Sequence, residues 1–131
     1  MNWKNNKVLV TGGASFIGSH LTEQLIELGA KVRIADNFSS GEKSYVKSLD
    51  CEILEGDLLN PGFCNQVTDG IETVFHLAAD HGGRGYIDAH QVECSTNMIL
   101  DGQVFRHAHQ NGVEKIIFAS SGCVYPTSAQ M

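Results

Sequence analysis

The chain has 131 residues, enough for one domain with a modest core, and 42% of it is hydrophobic against 18% charged, an ordinary balance for a globular protein. Its formal net charge of −6 argues against a nucleic-acid or anionic-membrane surface, and no apolar run is long enough to span a bilayer. The opening MNWKNNK lacks the apolar core of a signal peptide, and Cys51, Cys64, Cys94 and Cys123 are scattered with no CxxC pair, so reduced thiols and a cytoplasmic location are expected.

The first predicted element is a strand over 7–11, where Val8, Leu9 and Val10 form an apolar, β-branched-rich run. Thr11, Gly12 and Gly13 read as a turn. Phe16, Ile17, Leu21, Leu25 and Ile26 then recur at helical spacing, which predicts a helix from about 16 to 28 that stops at Gly29. A second strand contains Val32, Ile34 and Ala35 and ends at Asp36. NFSSGEKS is a turn leading to a short helix through Leu49. A third strand covers 51–54, and Pro61 suits the first turn of a short helix ending near Gly70. Thr73 to Leu77 is an almost continuous apolar run, the pattern of a strand covered on both faces. DHGGRG reads as a glycine-rich loop and residues 88–111 as one long helix ending at Asn111-Gly112. A fifth strand covers 115–119, followed by the loop SSGCVYP.

Five strands alternating with helical segments predict a Rossmann-type, doubly wound parallel sheet of order 3-2-1-4-5. In such a sheet the ligand crevice lies at the C-terminal ends of the strands, beside strand 1. The switch from strand to helix across Thr11–Gly13 presents a helix N-terminus to a phosphate. Gly12 and Gly18 occupy the first and last places of a GxxGxxG turn, but the middle place is Ser15, which adds a Cβ and a hydroxyl where a diphosphate passes. That hydroxyl either crowds the ligand or bonds it. Asp36 ends strand 2, where a carboxylate accepts from both ribose hydroxyls and repels a 2′-phosphate, which favours NAD over NADP. Arg33 is nearby, but strand alternation does not aim it at the ribose. Asp57 either bonds an adenine amino group or simply starts the next helix.

These residues resemble the extended short-chain dehydrogenase/reductase family, the nucleotide-sugar epimerases, dehydratases and related reductases. The matching pieces are TGGASFIGSHL, DNFSSG, EGDLLN, VFHLAA and FASSGCVYP, which follow the family's order across nearly the whole chain. The resemblance implies that Gly12, Gly13, Ser15, Phe16, Ile17 and Gly18 hold the pyrophosphate of NAD. Asp36 and Asn37 would hold the adenosine ribose, Asp57 and Leu58 the adenine, and Leu77, Ala78 and Ala79 would line the cofactor. Asn97 matches a helix residue that shapes the wall of the site. AADHGGRGYI followed by SSGCVYP looks most like the GDP-mannose 3,5-epimerase and GDP-fucose synthase branches, which implies a sugar-nucleotide substrate of the GDP-mannose kind.

In the same resemblance Ser121, four residues before Tyr125, takes the place of the Ser/Thr that hydrogen-bonds the sugar oxygen being oxidised, and Tyr125 borders the substrate. On the residues alone, Ser120 and Ser121 are equally a polar strand end capping a turn. Cys123 would be the acid or base of epimerisation next to a transient ketone, or it is a small buried hydrophobe. Gly82, Gly83 and Arg84 either wrap the sugar or form a surface loop. His76 sits in a buried strand pattern and reads as packing, and His81 is a candidate for substrate contact. His107 and His109, two apart on a helix, do not share a face, and no metal site is expected. The family's YxxxK pair is absent: Tyr45, Tyr86 and Tyr125 are followed four residues later by Leu49, His90 and Ala129. The expectation is an incomplete, inactive cofactor-binding part of such an enzyme, homodimeric through an open strand-5 edge. The alternative is a non-catalytic Rossmann binding or interaction module.

Overall fold

A computed structural model describes residues 2–121 and 124–126. Cys123 lies outside these residues. Five strands form one parallel sheet: β1 (Lys7–Thr11), β2 (Lys31–Asp36), β3 (Glu52–Glu55), β4 (Thr73–His76) and β5 (Lys115–Phe118). Their order is β3-β2-β1-β4-β5, as the alternating pattern predicts. Parallel strands need crossovers, and these are supplied by α1 (Phe16–Glu27), α2 (Lys43–Val46), α3 (Pro61–Thr68) and a segment built from α4 (Arg84–Ala89), α5 (Gln91–Ser95) and α6 (Asn97–Gln110).

The register puts Val8 opposite Val32, Leu9 opposite Arg33 and Val10 opposite Ile34. Alternation sends Val8, Val10, Val32 and Ile34 toward α1 and α2, where they join Leu25 and Val46. Leu9, Ala35 and Val74 face the other way and pack with Cys64 and Val67 of α3 and Val104 and Ala108 of α6. The central strands are therefore covered on both faces, which is why their sequences are apolar runs and not alternations.

Helix ends follow local chemistry. Gly29 has φ +87°, and Gly29 N–H and Ala30 N–H donate to the carbonyls of Ile26 and Leu25, a Schellman closure of α1. Gly112, φ +74°, closes α6 in the same way, with Gly112 and Val113 donating to His109 and Ala108. Pro61 is the first residue of α3 behind an Asn60 cap whose Oδ1 accepts from Gly62 N–H at 2.8 Å.

Two expectations are corrected. The helix predicted over 88–111 is three helices, because His90 takes φ −126°, ψ 47° and the chain restarts after Thr96. The glycine loop is also shorter than predicted, since α4 already starts at Arg84 with Gly83 as its N-terminal flank. Arg33 points away from the nucleotide end altogether. Its Nε donates to Glu52 at 2.7 Å, and Nη1 donates to the carbonyls of Val67 and Asp69 at 3.0 and 2.9 Å, holding the C-terminal end of α3. No helix among the described residues is long and apolar enough to cross a membrane.

Candidate nucleotide-binding site

The C-terminal ends of β1, β2, β3 and β4 border one cleft of about 630 Å³. Its floor is the turn between β1 and α1. Gly12 has φ +68°, and a Cβ there would lie 3.0 Å from Ala78 N. The turn and the end of β4 are thus in contact, with room for glycine alone. At Gly18 a Cβ would fall 2.2 Å from the Gly12 carbonyl oxygen, so the first turn of α1 sits directly on the backbone of the loop. Gly13 is a packing glycine: its Cβ would overlap Ile34 Cγ2, on the core side of the turn.

Ser15 caps α1. Its hydroxyl donates to the Gly12 carbonyl at 2.7 Å and accepts from Gly18 N–H at 3.1 Å. In this structure the hydroxyl is engaged with the backbone of the turn, and Ser15 borders the cleft. The main-chain N–H groups of Phe16 and Ile17 have no partner among the described residues, and both side chains are 70% exposed. Unpaired N–H groups and the positive end of the helix dipole make this an anion-binding end.

Asp36 stands at the opposite wall and is only 9% exposed. Its Oδ2 accepts from Ala14 N–H at 2.9 Å and its Oδ1 from Phe38 N–H at 2.8 Å. These two bonds hold the carboxylate in one plane. A carboxylate has about four acceptor positions, so about two remain after these bonds, and Asp36 borders the cleft. Phe38 takes φ +55° to make its bond, a conformation bulky residues rarely adopt, so the loop is bent to suit Asp36. Asn37, Ser39 and Ser40 border the same end, and Asp57 and Leu58 close it. Asp57 Oδ1 accepts from Leu59 N–H at 2.8 Å, which fixes the turn after β3.

Leu77, Ala78 and Ala79 form the β4 wall of the cleft. Asn97 acts at one remove: its amide accepts from Asp80 N–H at 2.7 Å and donates to the Asp80 carbonyl at 2.8 Å, pinning the wall to α6. Gly82, Gly83 and Arg84 do not border the cleft. Asp80, His81 and Tyr86 do, with Tyr86 Oη donating to Asp80 Oδ1 at 2.9 Å and its ring stacked on His90 at 4.1 Å. The bond to Asp80 pushes the Tyr86 pKa up, since the carboxylate favours the neutral phenol. Asp80 and Tyr86 lie within the AADHGGRGYI stretch, and the i, i+4 spacing of Tyr86 and His90 is a further signal of their pairing.

Ser121 and Tyr125 are exposed and do not border the cleft. Cys51, Cys64 and Cys94 are free thiols. Cys64 is structural, with its Sγ donating to the Leu58 carbonyl at 2.9 Å and its pKa pushed up to about 11 by burial and by Asp57.

The profile of the NAD dependent epimerase/dehydratase family matches residues 8–131. The chain belongs to that family. It is 34% identical over 129 residues to the GDP-mannose 3,5-epimerase of Arabidopsis thaliana, a match over 98% of this chain and 34% of that protein. Among solved structures, an epimerase from the methanogen Methanothermobacter thermautotrophicus superposes with a TM-score of 0.85 at 34% identity, over 95% of this chain and 38% of that one. The UDP-glucose 4-epimerase of Brucella ovis in complex with NAD gives 0.85 at 28% identity, over 93% and 38%. This family member thus spans about a third of the length of the curated relatives it matches. The five-stranded Rossmann sheet is common to it and to these neighbours.

Proposed function

We propose that these 131 residues are the NAD-binding part of a nucleotide-sugar epimerase or dehydratase. The observation that carries the reading is the pairing of an open helix N-terminus at Phe16–Ile17 with the oriented Asp36 carboxylate across one cleft. The first suits a pyrophosphate, the second a ribose with free hydroxyls. Gly12 and Gly18 fit the group as well, because side chains there would close the approach. Ser15 serves as the cap that orients the N–H groups. Asp57 and Leu58 take the adenine end, while Leu77, Ala78 and Ala79, pinned through Asn97, form the wall beneath the nicotinamide end.

Bound NAD supplies reversible hydride acceptance from a sugar carbon. This chain's residues contribute binding, orientation and exclusion of a 2′-phosphate by Asp36. For the sugar we propose Ser121 as the hydroxyl that orients the reacting oxygen, Cys123 as the acid or base and Tyr125 at the substrate. Gly82, Gly83 and Arg84 contribute only if their loop moves toward the cleft. These 131 residues contribute cofactor binding to the epimerase or dehydratase activity. A GDP-mannose-like substrate is favoured by the AADHGGRGYI and SSGCVYP loops. A homodimer and a cytoplasmic setting belong to the same proposal.

Calorimetric titration of the chain with NAD, with NADP as control, tests the reading. Saturable NAD binding, with NADP weaker by about tenfold or more, is the expected result. No binding at millimolar NAD overturns it and favours the alternative, a Rossmann module that serves as an interaction domain.

A further inference from the structure

The ring of His76, at the end of β4, is 1% exposed and lies directly behind the nucleotide turn. Its Nδ1 is 2.7 Å from Thr11 Oγ1 and its Nε2 is 3.1 Å from Asp101 Oδ1 on α6. Thr11 Oγ1 also accepts from Leu77 N–H at 3.1 Å and from Ala78 N–H at 3.2 Å. A hydroxyl has two lone pairs and one proton. Leu77 N–H is shared with the Thr11 main-chain carbonyl at 3.3 Å, and the Asp101 carboxylate facing Nε2 only accepts, so Nδ1 is the acceptor of the neutral ring and takes the Thr11 proton. The ring proton is therefore on Nε2, where it is donated to Asp101. Each member of the chain of bonds fixes the role of the next.

We propose that His76, as the neutral Nε2–H tautomer held by Asp101, is a positioning residue for the cofactor cleft. It locks the Thr11 hydroxyl as the acceptor that ties Leu77 and Ala78 to the turn. Thr11 precedes Gly12, and Ala78 N is the atom a Gly12 side chain would meet. The bond network thus sets the spacing between the phosphate turn and the β4 wall, from a residue on α6 that does not border the cleft. Thr11 from β1, Asp101 and Phe105 from α6, and Phe118 from β5 surround the ring, and Asp101 is the one charged group among them. Protonating Nδ1 would set a third donor against an oxygen with two lone pairs. Burial disfavours that charged form and outweighs the opposing pull of Asp101. The significance of the network for affinity rests on the NAD-binding reading above.

The test begins with long-range proton–nitrogen correlation spectra of the ¹⁵N-labelled chain, with the His76 ring assigned by its loss in His76→Asn. Neutral pH should give a protonated Nε2 and an acceptor Nδ1. A protonated Nδ1, or an imidazolium, overturns the proposal, and this measurement needs no NAD and reads the wild-type ring, the His76→Asn chain serving only for assignment. Amide exchange at Leu77 and Ala78 then reads the coupling. His76→Phe should speed exchange by about tenfold, the loss expected for a buried hydrogen bond. In His76→Asn the side-chain oxygen reaches the Nδ1 position, so exchange should stay near wild type. Unchanged exchange in His76→Phe overturns the proposal. NAD affinity should follow the same order, about tenfold weaker in His76→Phe and restored in His76→Asn. If the wild-type chain binds no NAD, the proposed function fails, while tautomer and exchange still decide this inference.

Discussion

Asp36→Asn separates two roles of one carboxylate. Both oxygens are in use on the protein side: Oδ2 takes Ala14 N–H at 2.9 Å and Oδ1 takes Phe38 N–H at 2.8 Å. Asparagine keeps the shape but has one acceptor oxygen. Whichever way its amide turns, an NH₂ group faces a main-chain N–H. One charge-assisted bond is lost and a largely buried donor is left unpaired, which together cost about 2–3 kcal/mol. Gly41 lies beside this carboxylate, and a Cβ there would come within 3.0–3.1 Å of both oxygens, so glycine is what leaves room for it. Urea denaturation should show a lower midpoint with an unchanged slope. Calorimetry should show weaker NAD binding, about tenfold, and a smaller NAD-to-NADP preference, because the charge that repels a 2′-phosphate is gone. An unchanged midpoint would refute the two-bond geometry. An unchanged NAD-to-NADP ratio would refute Asp36 as the ribose-facing group.

Ser15→Ala should cost about 1 kcal/mol of stability by removing the cap of α1, and Ser15→Gly only a few tenths. NAD affinity in Ser15→Gly should stay within about twofold of wild type, and a tenfold loss by calorimetry would mean the hydroxyl bonds the ligand directly. Arg33→Ala should destabilise by about 1–2 kcal/mol in urea titration, through the lost bonds to the Val67 and Asp69 carbonyls, with NAD affinity unchanged. Arg33→Lys should not restore the loss, because one ammonium cannot serve Glu52 and two carbonyls in a plane. Burial lowers the His76 pKa from 6.5, so the unfolded chain takes up that proton more readily than the folded one. Its contribution is fully present above about pH 6.5 and declines as the pH falls below it, and His76→Asn should flatten this part of a stability–pH curve.

The legible part of this molecule is what neighbours along the chain decide. Val8–Val10 and Thr73–His76 announce covered strands by their apolar runs. Gly29 and Gly112 announce helix ends because each must take a positive φ to close a Schellman motif. The cleft residues at the strand ends were legible for the same reason: Gly12, Asp36, Asp57 and Ala78 each end a strand or lie within two residues of its end, so fixing the sheet order fixes their meeting point. What escaped was decided between distant segments. One non-helical residue, His90, hardly disturbs a 3.6-residue phase, so 88–111 reads as one helix, while the contact that restarts it, Asn97 on Asp80, spans 17 residues. Strand alternation turns Arg33 away from the ribose, but its partners, Glu52 and the end of α3, are set by tertiary contacts.

His76 is the sharpest case of that division. In sequence it is one polar letter in an apolar strand, and packing was the natural reading. The ring is indeed packed, edge-on to Phe105 and tilted against Phe118 at 5.7 Å each. Yet burial of a polar ring is tolerable only with both nitrogens satisfied, and their partners lie 65 residues upstream and 25 downstream. Those partners are the last residue of β1 and a residue of α6. The requirement that makes His76 a satisfied core residue is thus the same one that couples the nucleotide turn to a helix on the sheet's flank. Packing and positioning are one set of bonds here, so a variant that fills the volume without the Nδ1 acceptor, such as His76→Phe, should preserve the sheet and loosen the turn.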